Sequence, residues 1–129
     1  MKNQSRFATQ LLKGKPQSVV IFGTSLSYHL APILRSALHA RFGSIASAVN
    51  SGMAGRASRT ALVELDEKVI KHKPDTLLME WAINDAHDYH HEPGALDQGI
   101  SPAESRDNLD TLVTRVLAVL PSTEIILWT

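Results

Sequence analysis

Val19-Val20-Ile21-Phe22-Gly23-Thr24-Ser25-Leu26-Ser27 is the stretch from which the architecture can be read. Four apolar residues, β-branched or aromatic, run into a glycine and a cluster of small hydroxyls. Such a run, closed by Gly, reads as a strand buried on both faces. Hydroxyls just past its carboxyl end lie where open α/β sheets bind ligands, and this singles out Ser25. Thr and Ser also cap helices that follow strands, so the weight given to Ser25 depends on the flanking chain.

Downstream, Leu30, Ile33, Leu34, Ala37 and Leu38 follow the i, i+3, i+4, i+7, i+8 rule of one helix face. Pro32 suits a first turn better than an interior, which predicts regular helix from near Ala31 to Phe42-Gly43. Upstream, residues 3–13 predict a short helix with Phe7, Leu11 and Leu12 on one side. Gly14 closes it and Pro16 blocks its continuation. A second strand, diluted by Ala and Ser, is expected over 45–49. The loop Asn50-Ser51-Gly52-Met53-Ala54-Gly55-Arg56-Ala57-Ser58 follows, its glycines permitting close backbone approach or positive φ. Over 59–72 the pattern is helical, with Leu62, Leu65, Val69 and Ile70 on one face. Glu64 and Lys68 are spaced for an i, i+4 pair of about 0.3 kcal/mol. Pro74-Asp75 opens a third strand over 76–81, which Ala82-Ile83-Asn84-Asp85 ends. Residues 86–100 read as a long polar loop, of a length that is often functional. Ser101-Pro102-Ala103-Glu104 is a helix start with Ser at N-cap, Pro at N1 and Glu at N3. Leu109, Leu112, Val113, Val116, Leu117 and Leu120 then make the cleanest helical stripe in the chain, stopped by Pro121. A fourth strand is expected over 124–129. Strands alternating with helices predict an α/β, three-layer domain: a parallel sheet with helices on both faces.

The 129 residues fit one domain, able to bury roughly two-thirds of its unfolded surface. Lys+Arg and Asp+Glu are both 13, so the net charge is zero. Neither nucleic acid nor an anionic membrane then has an electrostatic hold on the chain. The absence of Cys excludes disulfides, thiol catalysis and zinc–thiolate sites. The first 17 residues hold no apolar core of a signal peptide, and no apolar run is long enough to span a bilayer. If this N-terminus is the natural one, a cytoplasmic location is expected.

In a parallel sheet the loops after the strands share one edge. Here they carry Gly23-Thr24-Ser25, Gly52 to Gly55, and Asn84-Asp85. A serine, a close-approach glycine and a side-chain amide on one edge suit acyl transfer. The hydroxyl attacks a carbonyl, and N–H groups stabilise the oxyanion, each donor worth about 3–4 kcal/mol. On these residues the chain resembles the SGNH (GDSL-type) hydrolases. Gly23-Thr24-Ser25-Leu26-Ser27 resembles the first family block, Gly-Asp-Ser-Leu-Ser. Asn50 to Gly55 resembles the second, with its oxyanion glycine, and Ala82-Ile83-Asn84-Asp85 the third, Gly-x-Asn-Asp. Gly14-Lys15-Pro16 and Glu80-Trp81-Ala82-Ile83-Asn84-Asp85 are similar to a bacterial branch of that family. The resemblance implies a flavodoxin-like parallel sheet, with Ser25 as nucleophile and first oxyanion donor. It implies Gly55 as the second donor and the Asn84 amide as the third. It implies no cofactor and no metal.

The pattern departs from the family in three places. Thr24 stands where the family has Asp, a change expected to be tolerated because the neighbouring Ser carries the reaction. Ala82 replaces a glycine and adds a methyl near the site. The family's general base, His, and its orienting Asp come from an Asp-x-x-His block after the fifth strand, whereas these 129 residues stop at strand four. The domain is therefore expected to be C-terminally incomplete over 1–129. Asp88-Tyr89-His90-His91 spells Asp-x-x-His and His87 lies beside it, but in the wrong block; a solvated polar loop is the reading preferred there. His29, His39 and His72 fall on or beside helices and read as surface residues. Arg56 and Arg59 read as solvated or paired with nearby acids. Trp81 and Trp128 read as core, and Ser27 as a capping or supporting hydroxyl. Asp85 reads either as orienting backbone or solvent around Asn84 or as a turn former.

The expected function is serine ester hydrolysis through an acyl-enzyme, on a small-molecule ester such as an O-acylated carbohydrate. Without its base, this chain alone is expected to be nearly inactive. The alternative is a non-catalytic acyl- or sugar-binding domain on the same fold. A phosphate-binding flavodoxin-like module stands behind both, because Gly-x-Gly-x-x-Gly and Gly-x-x-x-x-Gly-Lys-Ser/Thr are missing after strand one. An exposed edge at strand four would permit association.

Overall fold

The computed structural model describes residues 4–87, 97 and 99–129. In chain order the elements are α1 (Arg6–Leu12), β1 (Gln17–Gly23), α2 (Leu26–Phe42), β2 (Ala46–Asn50), α3 (Ser58–Lys68), β3 (Thr76–Glu80), α4 (Ala82–Ala86), α5 (Pro102–Val119) and β4 (Glu124–Leu127). Short 3₁₀ turns, Gly43–Ile45 and Ile70–His72, lead into β2 and toward β3. The strands form one sheet in the order β2-β1-β3-β4, every pair parallel. This is the expected three-layer α/β architecture, with flavodoxin-like order.

Alternation along β1 builds two cores, because successive side chains leave opposite faces of a strand. Val20 and Phe22 join Leu77 and Met79 beneath Ala61, Leu65 and Val69 of the α3 segment and Leu112 and Val116 of α5. Val19 and Ile21 join Ala48 beneath Ala31 of α2, with Phe7 of α1 packed alongside. Trp81 closes the first core edge-on to Phe22, with ring centroids 4.9 Å apart at 78°, an arrangement worth about 1 kcal/mol beyond its burial. β1 and β3 lie in the interior of the sheet, and the run Val19 to Phe22 of β1 is buried on both faces. The chain leaves β1 to form β2 on one side and crosses to β3 on the other. The carboxyl end of β1 is therefore a topological switch point.

Several expectations need correction. α2 begins at Leu26, five residues before Ala31, and carries Pro32 inside it. The bond forfeited is to the carbonyl of Tyr28, a half-exposed residue where water can take the donor's place. Ala82-Ile83-Asn84-Asp85 does not open a loop but forms the single turn of α4. Glu64 and Lys68 do not pair; Glu67 and Lys71 make the i, i+4 bridge instead. Trp128 is 47% exposed, at the open edge with Ile126 and Leu127, because no described element covers the outer side of β4. α5 starts as expected, with Ser101 Oγ accepting from Glu104 N at 3.1 Å. Among the described residues, no helix is long and apolar enough to cross a membrane.

Candidate active site

Ser25 sits at the N-cap of α2, exposed, with helical backbone angles and no side-chain capping hydrogen bond. Its hydroxyl is not consumed by the helix. The unsatisfied N–H groups and dipole of a 17-residue helix start there, favouring negative charge. Gly23 makes this placement possible. A Cβ on it would lie 2.6 Å from the backbone oxygen of Glu80, so β1 and β3 can approach only at a glycine. Thr24 is fully buried, its N–H on Glu80 O at 3.2 Å and its Oγ1 donating to Glu80 Oε2 at 2.6 Å.

The loop after β2 is stitched to this turn. Met53 N donates to Gly23 O at 2.8 Å, Ser51 N to Ile21 O at 2.8 Å, and Tyr28 Oη to Gly52 O at 3.2 Å. A Cβ on Gly52 would meet Ser27 Cβ at 2.6 Å and Thr24 O at 3.1 Å, so the two loops touch backbone to side chain. The N–H of Gly52 is already taken by Asn50 Oδ1 at 2.9 Å. Gly55 turns the chain at φ 69°, a conformation that favours glycine.

α4 completes the edge. Asn84, 8% exposed, donates through Nδ2 to Arg56 O at 2.8 Å. Asp85, 7% exposed, accepts from Ser58 N at 2.8 Å and from Ser105 Oγ at 2.5 Å. Ser25 at the start of α2, Gly55 in the loop after β2 and Asn84 on α4 thus lie on three segments hydrogen-bonded to one another at the carboxyl ends of the strands. Between α4 and α5 lies an open cavity of about 580 Å³, lined by Ala82, Asp85, Ser105, Leu109 and Leu127 among others; Ser25, Gly55 and Asn84 do not line it.

The described histidines lie at the surface. His87 is exposed at the end of α4, and His29, His39 and His72 are exposed elsewhere. Asp88, Tyr89, His90 and His91 lie outside the described residues. Among those described, no group of three His, Cys, Asp or Glu side chains is arranged to hold a metal ion. Arg56 is exposed, whereas Arg59 forks onto Glu104, its Nη2 2.7 Å from Oε2. That hydrogen bond holds the Glu104 carboxyl below its ordinary value and Arg59 above its own.

Sequence reasoning missed two buried acids. Glu80 is 5% exposed, with Oε1 unpartnered among the described residues. Its signal was an acid closing an apolar strand, directly in register with Gly23. Asp97, 6% exposed, accepts from Thr60 N at 3.1 Å and Thr60 Oγ1 at 2.6 Å. It lies within a polar stretch that offers no periodicity to mark it.

No protein-family model matches the chain, and no curated protein sequence does. Solved structures do. LAE5, an alpha/beta hydrolase enzyme from the metagenome of Lake Arreo, superposes with a TM-score of 0.73 at 26% identity, over 88% of this chain and 60% of its own. Axe2, an acetylxylan esterase from Geobacillus stearothermophilus, gives 0.71 at 22%, over 88% and 59%. The acetyl xylan esterase AlAXEase gives 0.72 at 14%, over 85% and 56%. The chain has the fold of ester-hydrolysing enzymes and spans about 60% of the length of LAE5.

Proposed function

We propose that this chain carries the nucleophile and oxyanion site of an SGNH-type serine ester hydrolase. Its substrate is an ester, an O-acylated carbohydrate among the candidates. The observation that supports the reading is that the segments bearing Ser25, Gly55 and Asn84 are hydrogen-bonded to one another at the carboxyl ends of the strands. Ser25 Oγ attacks the acyl carbonyl carbon and loses its proton to a base. The carbonyl π electrons move to oxygen, where N–H groups of Ser25, Gly55 and Asn84 receive the charge. Collapse expels the alcohol, which takes a proton, and leaves an acyl-serine. Water repeats the attack and frees the acid. Without a base beside Ser25, acylation is slow and deacylation slower still.

The test uses p-nitrophenyl acetate, whose leaving group needs no proton. The 129-residue chain should gain one acetyl group, mapped to Ser25 by peptide mass spectrometry and absent from Ser25→Ala. No adduct at Ser25 would overturn the reading. Rapid Ser25-dependent turnover would overturn only the missing base and bring the histidines at 87, 90 and 91 into the mechanism.

A second reading, an acyl- or sugar-binding domain without catalysis, draws on the cavity between α4 and α5, lined by Asp85 and Ser105, whose volume falls in the range of ligand sites. Saturable binding of an acetylated sugar, with no acetyl transfer to Ser25, would favour it.

A further inference from the structure

Two consecutive residues of α4 grip the same connection from one side. Asn84 Nδ2 donates to Arg56 O, and Asp85 Oδ1 accepts from Ser58 N, both at 2.8 Å. These two groups flank Ala57, which is 2% exposed and caps α3 with no side-chain hydrogen bond. The ordinary N-cap acceptor, for the third residue of the helix, is given by Asp97 to Thr60 N; the carboxylate of α4 satisfies the first free N–H of α3, that of Ser58. Its second oxygen is aimed by Ser105 Oγ of α5, at 2.5 Å. Asn108 Nδ2 of α5 reaches Ser58 Oγ at 2.9 Å. An acceptor for this N–H could come from any direction. Here it comes from the residue next to Asn84, and the pair holds the chain on both sides of one residue, Ala57.

We propose that Asp85 is a positioning residue: the Asn84-Asp85 clamp on Arg56 and Ser58 sets the Gly55 turn against the Asn84 amide, so that both donors address one oxygen. This rests on the acyl-transfer reading of Ser25, Gly55 and Asn84. The carboxylate acts through the backbone it holds, and touches no substrate. Misplacement of one donor by about 1 Å is enough to cost up to about 100-fold in rate.

A double-mutant cycle on Ser25 acetylation by p-nitrophenyl acetate tests it, with rates expressed per folded molecule from circular dichroism. Asn84→Ala should slow acetylation about 100-fold, and Asp85→Ala at least about tenfold. The double variant should be barely slower than Asn84→Ala alone, because alignment is worth nothing once the donor is gone. Asp85→Asn, which keeps an acceptor for Ser58 N, should recover most of the rate. A purely structural Asp85 predicts an unchanged rate per folded molecule, or losses that multiply with Asn84→Ala; either result overturns the clamp. If Asn84→Ala does not slow acetylation, the acyl-transfer reading fails and takes the clamp with it. If Asn84→Ala is slow and Asp85→Ala is not, only the clamp fails. Should Asp85→Ala not fold, Ser105→Ala removes the bond that aims the carboxylate and leaves the cap in place. Slower acetylation, again lost in the Asn84→Ala background, supports the clamp, and no change overturns it.

Discussion

The two ends of the sheet use their polar groups differently. At the amino ends of the strands they are spent on holding strands together. Asp75 Oδ2 accepts from Ser18 N at 2.8 Å, Thr123 Oγ1 donates to Pro74 O at 2.7 Å, and Glu124 Oε2 takes Ser5 Oγ and Phe7 N, each at 3.1 Å. At the carboxyl ends they are partly unspent. Ser25 is exposed and makes no capping bond, and the buried Ser27 Oγ, Glu80 Oε1 and Trp81 Nε1 lack partners among the described residues. Thr76 Oγ1 is the one such atom toward the other end. Buried polar atoms are rarely left unpaired without a reason. They are concentrated at the end where the proposed site lies.

The contrast makes a prediction about Gly23. A methyl there meets the Glu80 carbonyl at 2.6 Å and Glu80 Cβ at 3.2 Å. Only the Ser27 Oγ contact, at 2.9 Å, involves a side chain able to turn away. Gly23→Ala must therefore part β1 from β3, at a cost of about 3 kcal/mol. Because Ser25 lies two residues on, acetylation per folded molecule should fall as well. A urea midpoint and an acetylation rate both close to wild type would remove the claim that this glycine sets the turn.

The amino end should behave differently. Asp75→Ala strips a half-buried acceptor from Ser18 N and Oγ and should cost about 1–2 kcal/mol. Acetylation of Ser25 per folded molecule should remain that of wild type, since the change lies at the far end of β1. A slowed rate with unchanged stability would show that the ends do not divide labour as described.

How much of this was open to sequence reading follows the same division. The strands were legible because Val19 to Phe22 and Thr76 to Met79 bury two faces, and burial is written as an apolar run. Ser25, Gly55 and Asn84 were singled out by residue type and order, and their roles are the proposal made above. α2 was misplaced because local preference at Pro32 was weighed above the apolar face that continues through it. Trp128 was taken as core because an aromatic at a strand end usually finds cover, and here none is described. The links between loops were illegible. Thr24 with Glu80, and Asp85 with Ser58 and Ser105, join residues 20 or more apart in sequence, and only the folded sheet brings them together.

The smallest effect belongs to a bridge between α3 and α5, the two helices that cover one face of the sheet. Arg59 at the start of α3 and Glu104 at the start of α5 are each about one-third exposed, at 29% and 33%. Solvent screens most of their attraction. The hydrogen bond from Arg59, the largest cause, holds the Glu104 carboxyl below its ordinary 4.5, so the folded state binds this proton more weakly than the unfolded chain. The bridge's contribution is therefore complete above that value and is lost as pH falls through the lower, folded one. Urea midpoints measured from about pH 6 to about pH 3 should fall slightly more for the wild type than for Glu104→Gln, which has no such proton to take up. Acetylation of Ser25 near neutral pH should be the same in both. If the two stability curves run parallel, the bridge is a surface contact without energetic weight. If Glu104→Gln slows acetylation, the reach of the site extends past Asp85 and Ser105 to the outer ends of α3 and α5.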